Sequence, residues 1–202
     1  MKNAYISIVD SRDGLEKAHS LLIDQWYEGI SDYKPLCTAQ LVYLKGEGFL
    51  ARLYCREAEP RVTVACEDGP VYKDSCLEWF CNFAPERSDI YMNMEVNAAG
   101  RMLCRLGSGR QNRQPLPDTA PRPRVCASRE EGSWSLELFV PLATVKAVWG
   151  KEDFASGDTI KANFYKCGDE TEHLHYGMWS RCETEKPDFH RPEFFGTLVI
   201  VE

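Results

Sequence analysis

Two glutamates, Glu78 and Glu95, are the residues whose type and spacing most readily suggest chemistry. Each lies in a segment with alternating apolar residues, which predicts a β-strand, and the short link between the segments predicts a hairpin. The apolar rows are Leu77, Trp79 and Cys81 in the first segment, and Met92, Met94 and Val96 in the second. Aligning these rows places Glu78 on the same face as Asn93, Glu95 and Asn97, with Glu78 near Glu95.

Like charges that face each other across a β-ladder are destabilising, so we expect something to offset the repulsion between the two glutamates. An arginine such as Arg101 or Arg105, a bound cation, or a ligand rich in hydroxyl groups would serve. The alternative is that this face is simply solvated, because antiparallel sheets commonly have one wet face.

A second polar stretch runs through Asn-Phe-Tyr-Lys-Cys-Gly-Asp at 163–169 and His-Leu-His-Tyr-Gly-Met-Trp at 173–179. Sugars bind through such mixtures, since their C–H faces pack on aromatic rings while their hydroxyls bond to polar side chains. The rings expected to stack on a sugar are Tyr72 and Trp179. Weaker candidates for the rim are Lys166, Asp169, His173 and His175. The competing interpretation of Trp179 is a core residue, because large aromatic side chains are mostly buried.

The elements that must position these residues are mainly strands. Period-2 patterns predict many short strands, and therefore an all-β fold: an antiparallel β-sandwich, of jelly-roll or immunoglobulin-like type, with one or two short helices. The helices are expected within residues 13–27 and 141–148, and the last strand at 197–201. The predicted core comprises Trp79, Met92, Met94, Trp134, Leu136, Leu138, Ile160 and Phe164.

The chain length of 202 residues suits one domain spanning 1–202. We expect residues 1–35 to be an N-terminal extension packed on it. Residues 107–124, rich in proline and arginine, predict a long surface loop, mobile and solvated or, alternatively, a rim that touches ligand. The segment 186–196, with two prolines, is expected to be architectural, and its His190 a hydrogen-bonded packing residue.

The formal net charge of −7 makes nucleic acid and anionic membranes poor partners. Nine cysteines without a Cys-x-x-Cys motif fit free thiols in a reducing compartment better than a disulfide framework. With no recognisable signal segment, we expect a cytoplasmic location, although a chain with its leader removed would look similar. No protein partner is suggested.

Five motifs, in order, resemble the family 9 carbohydrate-binding modules, from about Leu36 to the C-terminus. The motifs are Val-aromatic-x-Asp-Ser-x-x-Glu-x-Phe at 71–80, Tyr-x-Asn-x-Glu-x-Asn-x-x-Gly at 91–100, Trp134 before a strand ending at Pro141, Asn-Phe-Tyr at 163–165, and Phe-His-x-Pro-x-x-Phe-Gly at 189–196. A stand-alone bacterial subgroup is the nearest likeness.

The resemblance implies a β-sandwich, distantly similar to DOMON domains, that binds glycan chain ends or small sugars, as in cellulose or xylan, between two aromatic rings. By position, it implies that Tyr72 and Trp179 are these rings and that Glu78 binds hydroxyls. Tyr72 stands where the family usually has tryptophan, and a smaller ring offers less stacking area. The resemblance implies no required cofactor, and it makes a structural calcium ion a further expectation.

Two other function classes remain open. Glu78 and Glu95 could be the carboxyl pair of a glycoside hydrolase, which needs a defined separation beside a deep site. Similarity to DOMON domains would also allow haem or metal binding, with His173, His175, Cys167 and Cys182 as the nearest candidate ligands, although their spacing matches no common zinc motif.

Overall fold

Thirteen β-strands and one α-helix account for most of the regular structure in a computed structural model that describes residues 1–202. The strands are β1 (Asn3–Val9), β2 (Leu21–Leu22), β3 (Gln25–Trp26), β4 (Cys37–Leu44), β5 (Gly48–Cys55), β6 (Cys76–Asn82), β7 (Tyr91–Asn97), β8 (Met102–Gly107), β9 (Arg124–Glu130), β10 (Ser133–Pro141), β11 (Thr159–Gly168), β12 (His175–Met178) and β13 (Gly196–Val201). The helix α1 spans Leu142–Trp149, and three short 3₁₀-helices cover Arg12–Lys17, Val71–Lys73 and Pro192–Phe194.

The strands form two sheets that share β1. The first sheet runs β8-β7-β6-β11-β13-β1, with β12 and β3 added beyond β11, and the second runs β1-β4-β5-β10-β9, with β2 beside β4. Strand β1 pairs in parallel with β13 through its first half and with β4 through its last two residues, whereas the other pairings are antiparallel. The predicted all-β sandwich is confirmed, with these two parallel pairings as its exception.

The main core lies between the two sheets and collects the inward residues of both. All eight residues predicted from the alternating patterns to form the core are buried in this cluster. Aromatic rings fill its centre, and Phe49 of the second sheet packs 4.8 Å from Phe83, just beyond β6 of the first. Period-2 alternation therefore predicted the inner face correctly.

The outer face of the first sheet is also covered. A second cluster of buried side chains, including Phe80, Tyr91, Tyr165, Phe189 and Phe195, lies on this face. Every residue of β6 and β7 is consequently buried. The expectation that this face could be solvated is wrong, because the loops before β6 and before β13 fold over it.

The helix predicted within residues 13–27 is mostly absent. Only Arg12–Lys17 is helical, as a 3₁₀ turn, and the following residues form β2 and β3. Leu21 and Ile23 are both buried, so the apolar pattern there follows a period of two, which overrides the helical spacing that also fits. The helix predicted at 141–148 is confirmed as α1, which ends at Gly150 with φ of 67°.

Residues 1–35 are more than an extension, since β1 lies between β13 and β4 and joins the two sheets. Residues 107–124 form a loop, as predicted, apart from one bridge between Leu106 and Gln114. None of the helices has the length and apolar composition that crossing a membrane would need.

Candidate ligand-binding site

Glu78 and Glu95 lie directly opposite each other across the β6–β7 ladder, in the predicted register. Both side chains point to the outer face of the first sheet, and each is only 3% exposed. Asn93 shares that face and donates a hydrogen bond from Nδ2 to Oε1 of Glu95 at 2.9 Å. The prediction that these three residues share one face is confirmed.

Arg113 is the basic group that offsets the repulsion between these two carboxyl groups. Its Nη1 lies 3.3 Å from Oε1 of Glu95. The two arginines expected in that role pair elsewhere, Arg101 with Glu67 and Arg105 with Asp68. Arg101 lies beyond the end of β7. Arg105 pairs with Asn93 from β8, and its side chain reaches the loop that carries Asp68.

Burial changes the protonation of both glutamates. It raises the pKa of Glu95 to about 7, against the opposing effect of Arg113. Burial and the neighbouring Glu95 raise the pKa of Glu78 well above its usual value. The pair therefore carries fewer than two negative charges near neutral pH. A neutral carboxyl group both donates and accepts hydrogen bonds, which suits it to sugar hydroxyls.

The two glutamates face a cavity of about 190 Å³ on the outer face of the first sheet. The cavity is smaller than the ~300–1,000 Å³ of pockets for drug-sized ligands. It combines three carboxyl groups, two guanidinium groups and three aromatic rings. Its lining is Tyr72, Glu78, Glu95, Arg110, Arg113, Cys167, Asp169, Tyr176, Pro187, Phe189 and His190.

Tyr72 reaches the cavity from the 3₁₀-helix Val71–Lys73, which docks against the end of β11. The backbone N–H of Asp169 donates to the carbonyl of Tyr72 at 3.0 Å. The next motif residue, Asp74, is fully buried and accepts hydrogen bonds from Thr63, Val64 and Asn97. Asp74 therefore anchors the segment that presents Tyr72.

Tyr176 and Phe189 supply the other two rings, and their centroids are 5.9 Å apart in an edge-to-face arrangement. Tyr176 comes from β12, where it pairs with Cys167 of β11 and so points to the same outer face. Asp169, the one rim candidate that lines the cavity, lies beside Tyr176. Burial raises the pKa of Asp169, while Tyr176 and Arg110 act in the opposite direction.

Two loops whose sequences show no periodic pattern of apolar residues close the cavity. Arg110 donates to Oδ1 of Asp188 at 2.8 and 3.1 Å, and thereby ties the 107–124 loop to the segment before β13. His190 accepts or donates a 2.8 Å hydrogen bond with the Tyr91 hydroxyl, as its predicted packing role requires, but its ring also lines the cavity. The 107–124 loop thus borders the cavity through Arg110 and Arg113, and its contact with a ligand stays a prediction.

Trp179 does not line the cavity, which corrects the prediction that it is an aromatic wall. It is 3% exposed and packs in the main core, with its ring centroid 6.0 Å from that of Phe164. Gly196 permits this packing, because a Cβ there would lie 2.3 Å from Cζ3 of Trp179. The ring on the cavity side is Tyr176, three residues earlier and on the opposite face.

Lys166 and His175 also lie away from the cavity, on the inward side of β11 and β12. Nζ of Lys166 lies 2.8 Å from Nε2 of His175 and 3.4 Å from Oε2 of Glu57. Trp134 and Ser75 donate to the same carboxylate. His173 stacks on Tyr33 at the mouth of this network, 5.2 Å between centroids. Lys166 and His175 therefore belong to a buried ionic network that supports the strands, whereas His173 is exposed at its mouth.

One set of three or more ligand side chains converges in the structure, namely Cys76, Glu78 and Cys167. Calcium takes six to eight oxygen ligands, including backbone carbonyls, and a structural calcium ion stays a prediction. The four residues considered for haem or metal do not converge at one site. His175 is engaged with Lys166, whereas Cys182 lies near the Tyr165 hydroxyl in the second cluster.

Comparison with known proteins gives one family and several similar folds. The sequence model of carbohydrate-binding family 9 matches residues 14–200. A crystal structure of a candidate carbohydrate-binding protein from Bacteroides uniformis ATCC 8492 superposes with a TM-score of 0.83 at 28% identity, covering 99% of both chains. No curated protein matches the sequence.

Two structures of a carbohydrate-binding module of family 9 from Caldicellulosiruptor kristjanssonii share the fold at 9% identity. The one in complex with glucose has a TM-score of 0.72 and covers 99% of this chain and 96% of that one. The one in complex with cellotriose has a TM-score of 0.69, with 98% and 93% covered.

Proposed function

Because the chain belongs to carbohydrate-binding family 9, we propose that it binds a saccharide, without catalysing a reaction, in the cavity bounded by Tyr72, Tyr176 and Phe189. The observation that carries this proposal is the composition of the cavity, in which aromatic rings surround a floor of buried carboxyl groups. Rings pack against the C–H faces of a sugar, and carboxyl and guanidinium groups bond to its hydroxyls.

The size of the cavity favours a small ligand. A volume of about 190 Å³ suits one sugar ring, with any further rings outside. The terminal ring of a polysaccharide, or a small saccharide, can enter such a cavity. A ring in the interior of a chain would need a cavity that is open at both ends. The proposed ligand is therefore a glycan end or a mono- or disaccharide.

The carboxyl pair is arranged for binding rather than for hydrolysis. A glycosidase places its two carboxyl groups on either side of the scissile bond. Glu78 and Glu95 project from neighbouring strands of one sheet, so both approach a ligand from the floor. This geometry supports hydrogen bonding to adjacent hydroxyls.

Titration calorimetry with glucose, cellotriose and a xylose oligosaccharide tests the proposal. Stacking contributes about 0.5–1.5 kcal/mol per ring and hydrogen bonds about 0.5–3 kcal/mol each, so micromolar to millimolar dissociation constants are expected after the costs of association. The absence of heat and of thermal protection with every saccharide at millimolar concentration would rule the proposal out. Production of new reducing ends from cellotriose would instead favour the hydrolase alternative.

A further inference from the structure

Three buried ligand groups converge at the cavity floor beside the glutamate pair. Cys76 on β6 and Cys167 on β11 are directly opposite each other in the antiparallel ladder. Glu78 follows Cys76 by two residues, so its side chain emerges on the same face. One ligand atom from each of the three lies within 4.8 Å of the others, and Cys167 Sγ is 2.9 Å from Oε1 of Glu78.

This set lacks a cation. Arg113 contacts Glu95, but no lysine, arginine or histidine forms a salt bridge with Glu78, whose hydrogen bond comes from the Cys167 thiol. An ionised carboxylate at this buried position is costly without a positive partner. A divalent cation would supply the missing charge, and the two thiols would lose their protons when they bind it.

We propose that Cys76, Cys167 and Glu78 bind a thiophilic divalent cation of the zinc class at the floor of the cavity. Two sulfurs and one carboxylate oxygen select zinc over calcium or magnesium, which prefer oxygen ligands alone. Zinc takes its ligands at about 2.0–2.3 Å in a tetrahedron, so neighbouring ligand atoms need to lie within about 4 Å. The three ligand atoms lie within 4.8 Å of one another, so binding would draw them closer together.

The cavity gives the ion both a path and a fourth coordination position. Cys167 and Glu78 line the cavity, whereas Cys76 lies behind them. Three protein ligands and an open position facing a cavity are typical of zinc sites that accept water or a ligand atom. By contrast, Cys37 and Cys55 have sulfurs 3.2 Å apart but do not line this cavity.

The test uses reduced full-length protein carrying Cys66→Ser and Cys126→Ser, which removes the two exposed thiols. Zn²⁺ is titrated calorimetrically, and Co²⁺ is titrated by absorbance, without saccharide. We expect one equivalent of either ion and a thiolate-to-cobalt charge-transfer band. Adding Cys76→Ser or Cys167→Ser is expected to weaken binding at least 100-fold, whereas Cys104→Ser, a buried cysteine in the core between the sheets, is the matched control.

X-ray absorption of the zinc-loaded protein with both cysteines intact gives a second readout should either serine variant fail to fold. Two sulfur neighbours and at least one light-atom neighbour per zinc are expected. The proposal would be overturned by failure to bind one equivalent, by an affinity in the Cys76→Ser and Cys167→Ser proteins equal to that of the parent protein, or by a zinc coordination shell without two sulfurs. Saccharide titrations in the presence of a chelator keep this outcome separate from that of the carbohydrate site.

Discussion

Nε2 of His175 lies 2.8 Å from Nζ of Lys166, within a network that also contains the buried carboxylate of Glu57. This contact requires an uncharged imidazole, since only a neutral ring nitrogen can accept a hydrogen bond from an ammonium group. The ring remains positioned by its Nδ1, which contacts the carbonyl oxygen of His173. The network fixes the end of β11, the same strand that presents Cys167 to the cavity on its other face.

Protonation of His175 and His190 should therefore destabilise the protein. Burial and Lys166 lower the pKa of His175 to about 4, and burial, with Arg113 and Arg110, lowers that of His190 to about 3. Between those values and about 6.5, the pKa of histidine in an unfolded chain, the unfolded state binds more protons. The contribution of these histidines to stability should thus fall as pH drops through this window, by up to about 1.4 kcal/mol per pH unit for each, whereas the raised pKa values of Glu78 and Glu95 act in the opposite direction.

Urea unfolding at intervals from pH 7.5 to 4.5 measures this slope. The His175→Gln protein should show a smaller slope than the native protein, because it has one fewer group to titrate. His19→Gln is the matched control, since His19 is exposed, and its slope should equal that of the native protein. Equal slopes in all three proteins would contradict the role given to His175.

Replacing either tyrosine of the cavity should weaken saccharide binding. Tyr72→Ala and Tyr176→Ala each remove a ring face, and we expect dissociation constants to rise about tenfold, equivalent to about 1.4 kcal/mol. Tyr5→Ala is the control, because Tyr5 is 67% exposed on β1 and does not line the cavity. Calorimetry with the most tightly bound saccharide measures these dissociation constants. Unchanged affinity in both cavity variants would exclude the two rings as walls of the site.

Trp179→Ala should instead lower stability. The side chain fills the main core against Phe164 and Gly196, so its loss leaves a cavity and is expected to cost about 3–5 kcal/mol. Thermal or urea unfolding would detect the change. A variant that keeps native stability but loses saccharide binding would restore Trp179 as a wall of the site.

The buried ion pair should show strong coupling in a double-mutant cycle. Lys166→Met leaves the Glu57 carboxylate without its cation, at an expected cost of about 3–5 kcal/mol. Combining it with Glu57→Gln removes the unpaired charge and should recover part of that loss. Urea unfolding of the four proteins measures the coupling, and strictly additive effects would argue against a direct ionic interaction.

The register of the β6–β7 hairpin was accessible from the sequence, but the loops that cover it were not. The alternation in 77–81 and 92–96 predicted that Glu78 faces Glu95, because side chains on a strand can point only two ways. Arg113 and Phe189 come from segments without a period, and no local rule places such segments over a particular sheet face. Their long-range contacts determine the cavity.

The prediction of Trp179 as an aromatic wall, where the structure has Tyr176, was wrong for a physical reason. Cys167 faces the cavity and pairs with Tyr176, so pairing β11 with β12 in the correct register would have pointed to Tyr176. Tyr176 and Trp179 are three positions apart, and an odd offset places their side chains on opposite faces. Position in the family resemblance pointed to the tryptophan, whereas strand parity favours the tyrosine.

The placement of β1 has a consequence for biosynthesis. Asn3 pairs with Thr197 and Ser7 with Val201, so the first strand made takes one of its neighbours from the last. The junction between the two sheets therefore stays incomplete on the ribosome until residues 197–201 have emerged. Pairings so distant along the chain form slowly. Until then, the free edges of β1 and β11 would be exposed to other nascent chains, and this is the interval in which a chaperone would matter most.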